Sequence, residues 1–199
     1  MSPLGKLEPL TLTGRHVVLE PLLREHHDAL VEAVHDGELW KLWYTIVASP
    51  EKMRADIEQR LAQQKAGTML PFTVRNPASG KFVGMTTFCN IDLPRRRVEI
   101  GSTWYAKAVQ RTPLNTEAKL LLLTHAFETL GCLAVEFRTS FYNHASRSAI
   151  ARLGARQDGV LRNYGWHTNG TLRDTVVFSI IQSEWPAVKA NLEFKVTER

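Results

Sequence analysis

Gln110-Arg111-Thr112-Pro113-Leu114-Asn115-Thr116-Glu117-Ala118 is a short polar run between two contrasting segments. Before it, Val98-Glu99-Ile100-Gly101-Ser102-Thr103-Trp104 has the β-branched and aromatic content of a strand. After it, leucines recur at helical spacing up to Leu130. Thr112 suits a helix N-cap and Pro113 the first helical turn. A strand, a tight polar loop and an abrupt helix start leave backbone N–H groups unpaired at the positive end of the helix dipole. The segment is therefore expected to hold an anion, and a phosphate-bearing ligand in particular.

Working outward, residues 16–22 read as a first strand. A helix follows with Leu30 and Val34 at its spacing. Pro50 opens an amphipathic helix marked by Met53, Ile57 and Leu61. Three strands come next, at 70–75, 81–90 and 98–104, joined by turn-forming sequences. The helix at 116–130 is expected to bury Leu120, Leu123, Phe127 and Leu130, with Gly131 as its cap. Residues 133–139 alternate as a strand, and 143–153 form a short helix closed by Gly154. Two strands near 158–166 and 172–182 meet at an Asn169-Gly170 turn. Ser183 is expected to cap a terminal helix with Pro186 in its first turn. This order predicts a single α+β (α/β) domain over residues 1–199, its core at about 10–190. Its sheet is largely antiparallel, and one parallel crossover carries the anion loop.

Composition narrows the class. The chain has 199 residues, 44% hydrophobic and 23% charged, with a net charge of +5. That is ordinary for a globular domain able to bury a sizeable core. Cys89 and Cys132 need no disulfide, so a reducing cytoplasmic setting is expected. Residues 1–13 lack the pattern of a signal peptide, and no apolar run approaches the roughly 20 residues of a membrane span. Of the basic residues only Arg95-Arg96-Arg97 cluster tightly, with no nucleic-acid motif beside them, so neither a membrane nor a nucleic-acid partner is expected. The seven histidines show no metal-site spacing, and no metal is expected.

These residues resemble the GNAT superfamily of acyl-CoA-dependent N-acyltransferases, over nearly the whole chain. The resemblance rests on Val98-Glu99-Ile100-Gly101, on Gln110 through Ala118, and on Phe127-Glu128 with Leu130-Gly131. Further support comes from Asn143 and Ser146 at i, i+3, from Leu153-Gly154-Ala155, and from Arg173-Asp174-Thr175. The RimJ/RimL-like branch, which acetylates N-termini of ribosomal proteins, is the most similar. The resemblance implies a central sheet of about six to seven strands flanked by helices, with acetyl-CoA as co-substrate. The chain departs from the family where its pyrophosphate loop carries two small residues: Pro113 and Asn115 stand there instead. Pro113 removes one N–H donor, which Arg111, Thr112, Asn115 and Thr116 are expected to compensate.

The same resemblance assigns roles. Gln110, Arg111, Thr112, Leu114, Asn115 and Thr116 would hold the cofactor's phosphates. Trp104 and Tyr105 would supply backbone contacts, including an oxyanion donor. Asn143 and Ser146 would contact the pantetheine arm, and Arg147 a phosphate. Ser146 is the candidate acid and Glu99 the candidate base, while Ile150 occupies the position where many members carry an acidic tyrosine. Trp40, Trp43, Tyr44, Phe88, Tyr164 and Trp166 are candidates for an acceptor pocket, and Arg173-Asp174 for an internal ion pair.

The expected reaction is direct transfer, in a ternary complex, of acetyl to a primary amine of a small molecule or peptide. Neither cysteine falls in these loops, so no acyl-enzyme is expected. Neutralising an α-amine at pH 7 costs about 1 kcal/mol, against about 4.6 kcal/mol for a lysine side chain, which favours a low-pKa amine. The alternatives are a CoA-binding module without transfer activity, or transfer of a bulkier group such as succinyl. A homodimer is implied by the family alone.

Overall fold

The structure, a computed structural model, describes residues 8–198. Residues 1–7, part of the stretch read for a leader, and residue 199 lie outside the described residues. Among those described, eight strands form one open sheet in the order β1-β2-β3-β4-β5-β6-β8-β7. They are β1 (Leu12–Thr13), β2 (Val18–Pro21), β3 (Leu70–Arg75), β4 (Phe82–Asp92), β5 (Arg97–Tyr105), β6 (Ala134–Ser140), β7 (Arg156–Trp166) and β8 (Leu172–Ile181). Only β5 and β6 run parallel. Five α-helices pack with the sheet: α1 (His27–His35), α2 (Met53–Lys65), α3 (Pro113–Thr124), α4 (His144–Leu153) and α5 (Trp185–Thr197).

The mixed sheet and its parallel crossover are as expected, with one strand more than the upper expected count. The extra pairing comes from β1, too short to show an alternating pattern, which joins β2. The helix whose body was expected at 116–130 starts at Pro113, as the Thr112 cap and first-turn proline imply, and a π-helical turn over His125–Thr129 continues it. Proline lacks the N–H that a helix cannot use at this position anyway, so the start moves onto it. Thr112 caps the helix as expected, its hydroxyl accepting from Leu114 N at 3.4 Å. Leu123, Phe127 and Leu130 are buried as expected, but Leu122 rather than Leu120 is wholly enclosed. Each such leucine contributes about 1.5–3 kcal/mol by leaving water. In α2, Met53 and Ile57 are buried and Leu61 is partly covered, while Arg60 is buried one turn along. Ser183 does not cap α5; the cap position falls to Glu184, whose side chain makes no capping bond.

Helix α3 is pinned to the N-terminal segment by a buried carboxylate. Glu117 accepts from the backbone of Arg15 at 2.9 Å and of His16 at 2.5 Å. Gly154 takes a left-handed φ of 105° and ends α4, as expected. Glu117 near the start of α3, and Asn143 as the N-cap of α4, set both helix N-termini beside the place where the sheet opens.

Candidate active site

The opening lies between β5 and β6. Their ladder pairs Arg97, Val98 and Glu99 with Ala134, Val135 and Glu136 and goes no further. Beyond it β6 continues to pair with β8 as far as Ser140, so only its β5-facing edge is released. A bulge in β5 helps turn the strand away. Ser102 and Thr103 together face the single residue Thr86 of β4, and Ser102 takes a left-handed φ of 47°. The result is a wedge whose walls carry strand backbone without strand partners.

A cavity of about 340 Å³ fills the wedge. Ile100 to Tyr105 form one wall and Phe137 to Thr139 the other, while Asn143, Ser146 and Ile150 of the α4 region and Asn115 and Lys119 of α3 close it. A second, more open compartment of about 330 Å³ adjoins it, lined by Asn90, Glu99, Tyr164, Trp166 and Thr175 among others. Ile46, Ser102, Arg138 and Arg173 line both. Strand alternation explains the division: Ile100 points into the first compartment and its neighbour Glu99 into the second.

Glu99 is buried, and its carboxylate accepts from Asn90 Nδ2 at 2.6 Å, with Arg138 Nε at 3.5 Å. Burial raises its pKa above the usual carboxylate range, with Asn90 and then Arg138 pulling the other way. Gly101 makes room for it: a Cβ there would stand 2.7 Å from Glu99 Oε1 and 3.0 Å from Cys89 Sγ. Arg138 is shared, since its Nη2 also donates to Glu136 Oε2 at 2.9 Å and its Nη1 to the Tyr164 hydroxyl at 3.1 Å.

Ser146 lines the first compartment, and its N–H donates to Asn143 Oδ1 at 3.0 Å. Asn143 therefore caps α4 with its oxygen, leaving the side-chain amide as the group that can meet a ligand. Gln110 turns its amide back to donate to Tyr105 O at 2.9 Å, bracing the loop. Trp104, Tyr105, Gln110 and Asn115 all line the cavity. Arg111, Thr112, Leu114 and Thr116 cluster with them at the start of α3 but outside the lining. Arg111 is exposed with a left-handed φ of 61°. Leu114 is a core residue, so only its backbone is available. Arg147 lies over the Phe141 ring at 4.8 Å and donates to the Phe141 carbonyl at 3.1 Å, outside the cavity.

The aromatic candidates divide. Tyr44 lines the first compartment, Tyr164 and Trp166 the second, while Phe88 is fully buried core and Trp40 packs on that core. Trp43 meets His167 edge-on at 4.7 Å. The expected Arg173–Asp174 pair does not form. Adjacent strand residues point to opposite faces, and Asp174 is taken by Arg162 Nε at 2.6 Å and Asn163 N at 2.8 Å.

One lining residue escaped the sequence reading. Lys119 is buried, and its ammonium donates to Thr103 Oγ1 at 3.0 Å and Thr86 Oγ1 at 3.2 Å. Burial pushes its pKa down to about 7. The available signal was a lone cation inside the run Ala118 to Leu123, four residues after Asn115 and so on the same helix face.

A thioester cofactor with a long amide-bearing arm fits these residues. Unpartnered strand edges suit an extended arm, and the first turn of α3 offers N–H groups to phosphate. The Tyr105 hydroxyl and Arg173 Nε, both on cavity-lining residues, are sealed from solvent without a protein partner. Burial raises the Tyr105 pKa, so it remains a neutral phenol.

Comparison with known proteins agrees with this geometry. A family model for the acetyltransferase (GNAT) domain matches residues 16–156. The structure is similar to a GCN5-related N-acetyltransferase from Brucella melitensis, at 33% identity and a TM-score of 0.86, covering 98% of this chain and 89% of that one. It also superimposes on Mycobacterium smegmatis RimJ in complex with CoA-disulfide, at 22% identity and a TM-score of 0.80, covering 94% and 95% of the two chains, a likeness of fold. A Bacillus subtilis (strain 168) protein named "Putative ribosomal N-acetyltransferase YdaF" is 34% identical over 110 residues, which are 55% of this chain. The match spans 59% of the length of that curated relative.

Proposed function

The chain belongs to the GNAT acetyltransferase family, and from that premise we propose that it is an acetyl-CoA-dependent N-acetyltransferase acting on a primary amine. The observation that carries this reading is the wedge between β5 and β6, roofed by the α3 N-terminus and opening onto a compartment that holds Glu99. Similarity to a putative ribosomal N-acetyltransferase supports a protein or peptide amine as acceptor.

Acetyl-CoA, when bound, supplies the activated acyl carbon as a thioester. Backbone along the β5 and β6 edges would bind its arm. Pro113 offers no N–H, so phosphate falls to the backbone of Leu114, Asn115 and Thr116 with help from Arg111 and Thr112. The amide of Asn143 would orient the arm. Glu99 accepts the amine proton; its raised pKa brings it closer to the range where a base works near neutrality. The N–C bond forms as the C–S bond breaks, and Ser146 Oγ donates toward the departing sulfur. A backbone N–H near Trp104 or Tyr105 faces the oxygen on which charge develops. Direct attack fits two adjoining compartments able to hold both substrates at once.

The reading places the protein in the reducing cytoplasm, which suits Cys89 and Cys132, both free thiols whose pKa burial raises. Among the described residues no helix is long and apolar enough to cross a membrane. A homodimer, implied by the family resemblance, belongs to the same reading and is tested by light scattering. The test of function is calorimetry with CoA, followed by thiol release from acetyl-CoA over a panel of amines. Binding with amine-dependent release is expected; binding without release over a broad panel would reduce the protein to a CoA-binding module.

A further inference from the structure

Arg173 stands where the two compartments meet and lines both. It lies on β8 beyond the end of the β6 ladder, which closes at the Ser140–Thr175 pair. Its Nε is buried without an acceptor, and among the described residues its guanidinium makes no ion pair. The neighbouring arginines differ. Arg97 holds Glu136 at 2.7 Å, Arg138 holds Glu136 at 2.9 Å, Arg60 holds Asp56 at 2.7 Å and Arg162 holds Asp174 at 2.6 Å. The nearby carboxylates are therefore committed. Asp174 faces away, and Glu99 is engaged by Asn90 and Arg138. Burial lowers the Arg173 pKa, opposed by the field of Glu99, so the protein alone leaves this cation under-compensated.

An arginine in that state is completed by a planar anion that takes two of its N–H groups. Resting on the acetyltransferase reading, we infer that the acceptor amine carries a carboxylate on the same short skeleton, and that Arg173 is the specificity residue that receives it. The second compartment supports the assignment to the acceptor. It presents Glu99 as well as Arg173, one anion and one unpaired cation, which matches an amine and a carboxylate held apart on one molecule. Tyr164 and Trp166, both largely exposed, offer flat faces to an apolar body between the two charges. The same chemistry occurs in a free amino acid and in a peptide whose first residue is acidic.

The test uses acceptors that differ only in that charge: leucine and phenylalanine against their amides, and short peptides beginning with Glu against the same peptides beginning with Gln. Each is assayed by thiol release with the wild-type protein, Arg173→Gln and Arg173→Lys. A charge-assisted pair implies that wild type prefers the acid by about ten- to hundredfold in kcat/KM. The preference should fall to about one in Arg173→Gln and survive in part in Arg173→Lys. An amino-acid amide loses its ammonium proton more readily than the acid, so a preference for the acid runs against intrinsic reactivity. The free-acid and peptide arms identify the source. Equal rates for acid and amide would overturn the inference, as would a preference that persists in Arg173→Gln. So would an Arg173-dependent preference for succinyl-CoA over acetyl-CoA, which would assign the anion to the donor. If no amine releases thiol although CoA binds, the acetyltransferase reading fails instead. Calorimetry of the same acids and amides with the CoA-loaded protein then reads the Arg173 preference by itself.

Discussion

The two compartments of the cleft share a wall but are built on opposite plans. The first is bounded by contiguous stretches, Ile100 to Tyr105 and Phe137 to Thr139, with the starts of α3 and α4 beside it. Released strand edges and helix N-termini give it backbone donors and acceptors, beside the side chains of Asn115, Lys119 and Asn143. The second is made of side chains from five strands, Asn90, Glu99, Arg138, Tyr164 and Arg173, whose charges meet only in the folded chain. Backbone recognition suits a ligand common to many enzymes, and charged side chains suit one particular acceptor. Binding of CoA and choice of amine should therefore separate under mutation.

The largest effect is expected in the second compartment. Glu99→Gln should lower kcat by about a hundredfold, the scale of general base catalysis, while the KM for acetyl-CoA stays within a few-fold. In the wild type, kcat/KM should fall as pH drops through the raised pKa of Glu99, because the protonated carboxyl accepts nothing. That acidic limb should flatten in Glu99→Gln, and a limb that persists would move the base elsewhere.

The first compartment should answer in the opposite way. Joint replacement of Arg111, Thr112, Asn115 and Thr116 by Ala should weaken CoA binding by about tenfold or more, read by calorimetry, at the scale of a few polar contacts. Unchanged affinity would mean that the backbone N–H groups suffice at the start of α3. Ser146→Ala should cost about tenfold in kcat with little change in CoA affinity. An equal loss with an acyl donor whose leaving group needs no proton would sink the acid role.

The contrast also explains what the sequence disclosed. The crossover, the Thr112 cap with Pro113 behind it, and Ser146 at the start of α4 are local patterns. Each is written in a few adjacent residues, and the first compartment follows from them. Glu99 was legible because alternation put it opposite Ile100. Arg173 was misjudged since its neighbour Asp174 offered an obvious partner in sequence, whereas the pleat sends the two side chains to opposite faces. Lys119 went unnoticed in its apolar run: burial, not composition, makes it unusual. Strand β1 was missed because two residues carry no period.

Lys119 gives the smallest effect on activity and a clear one on stability. Its folded pKa lies near 7, below the ordinary lysine value, so the unfolded chain binds the extra proton between about pH 7 and 10. Stability should rise with pH over that window at up to about 1.4 kcal/mol per unit from this group. Lys119→Met should flatten the rise and stabilise the protein at neutral pH, read by denaturant midpoints. Thr86 and Thr103 would keep their mutual 2.8 Å hydrogen bond. A steeper rise or a lower midpoint in the variant would show that the amine is compensated in place.

The central claim is that the two compartments hold acetyl-CoA and an amine together, with direct transfer between them. Initial rates over a grid of both substrate concentrations test it most directly. Intersecting double-reciprocal lines, without acetylated protein after incubation with acetyl-CoA alone, are the expected result. Parallel lines with a stoichiometric acetyl-protein that passes its group to the amine would contradict it.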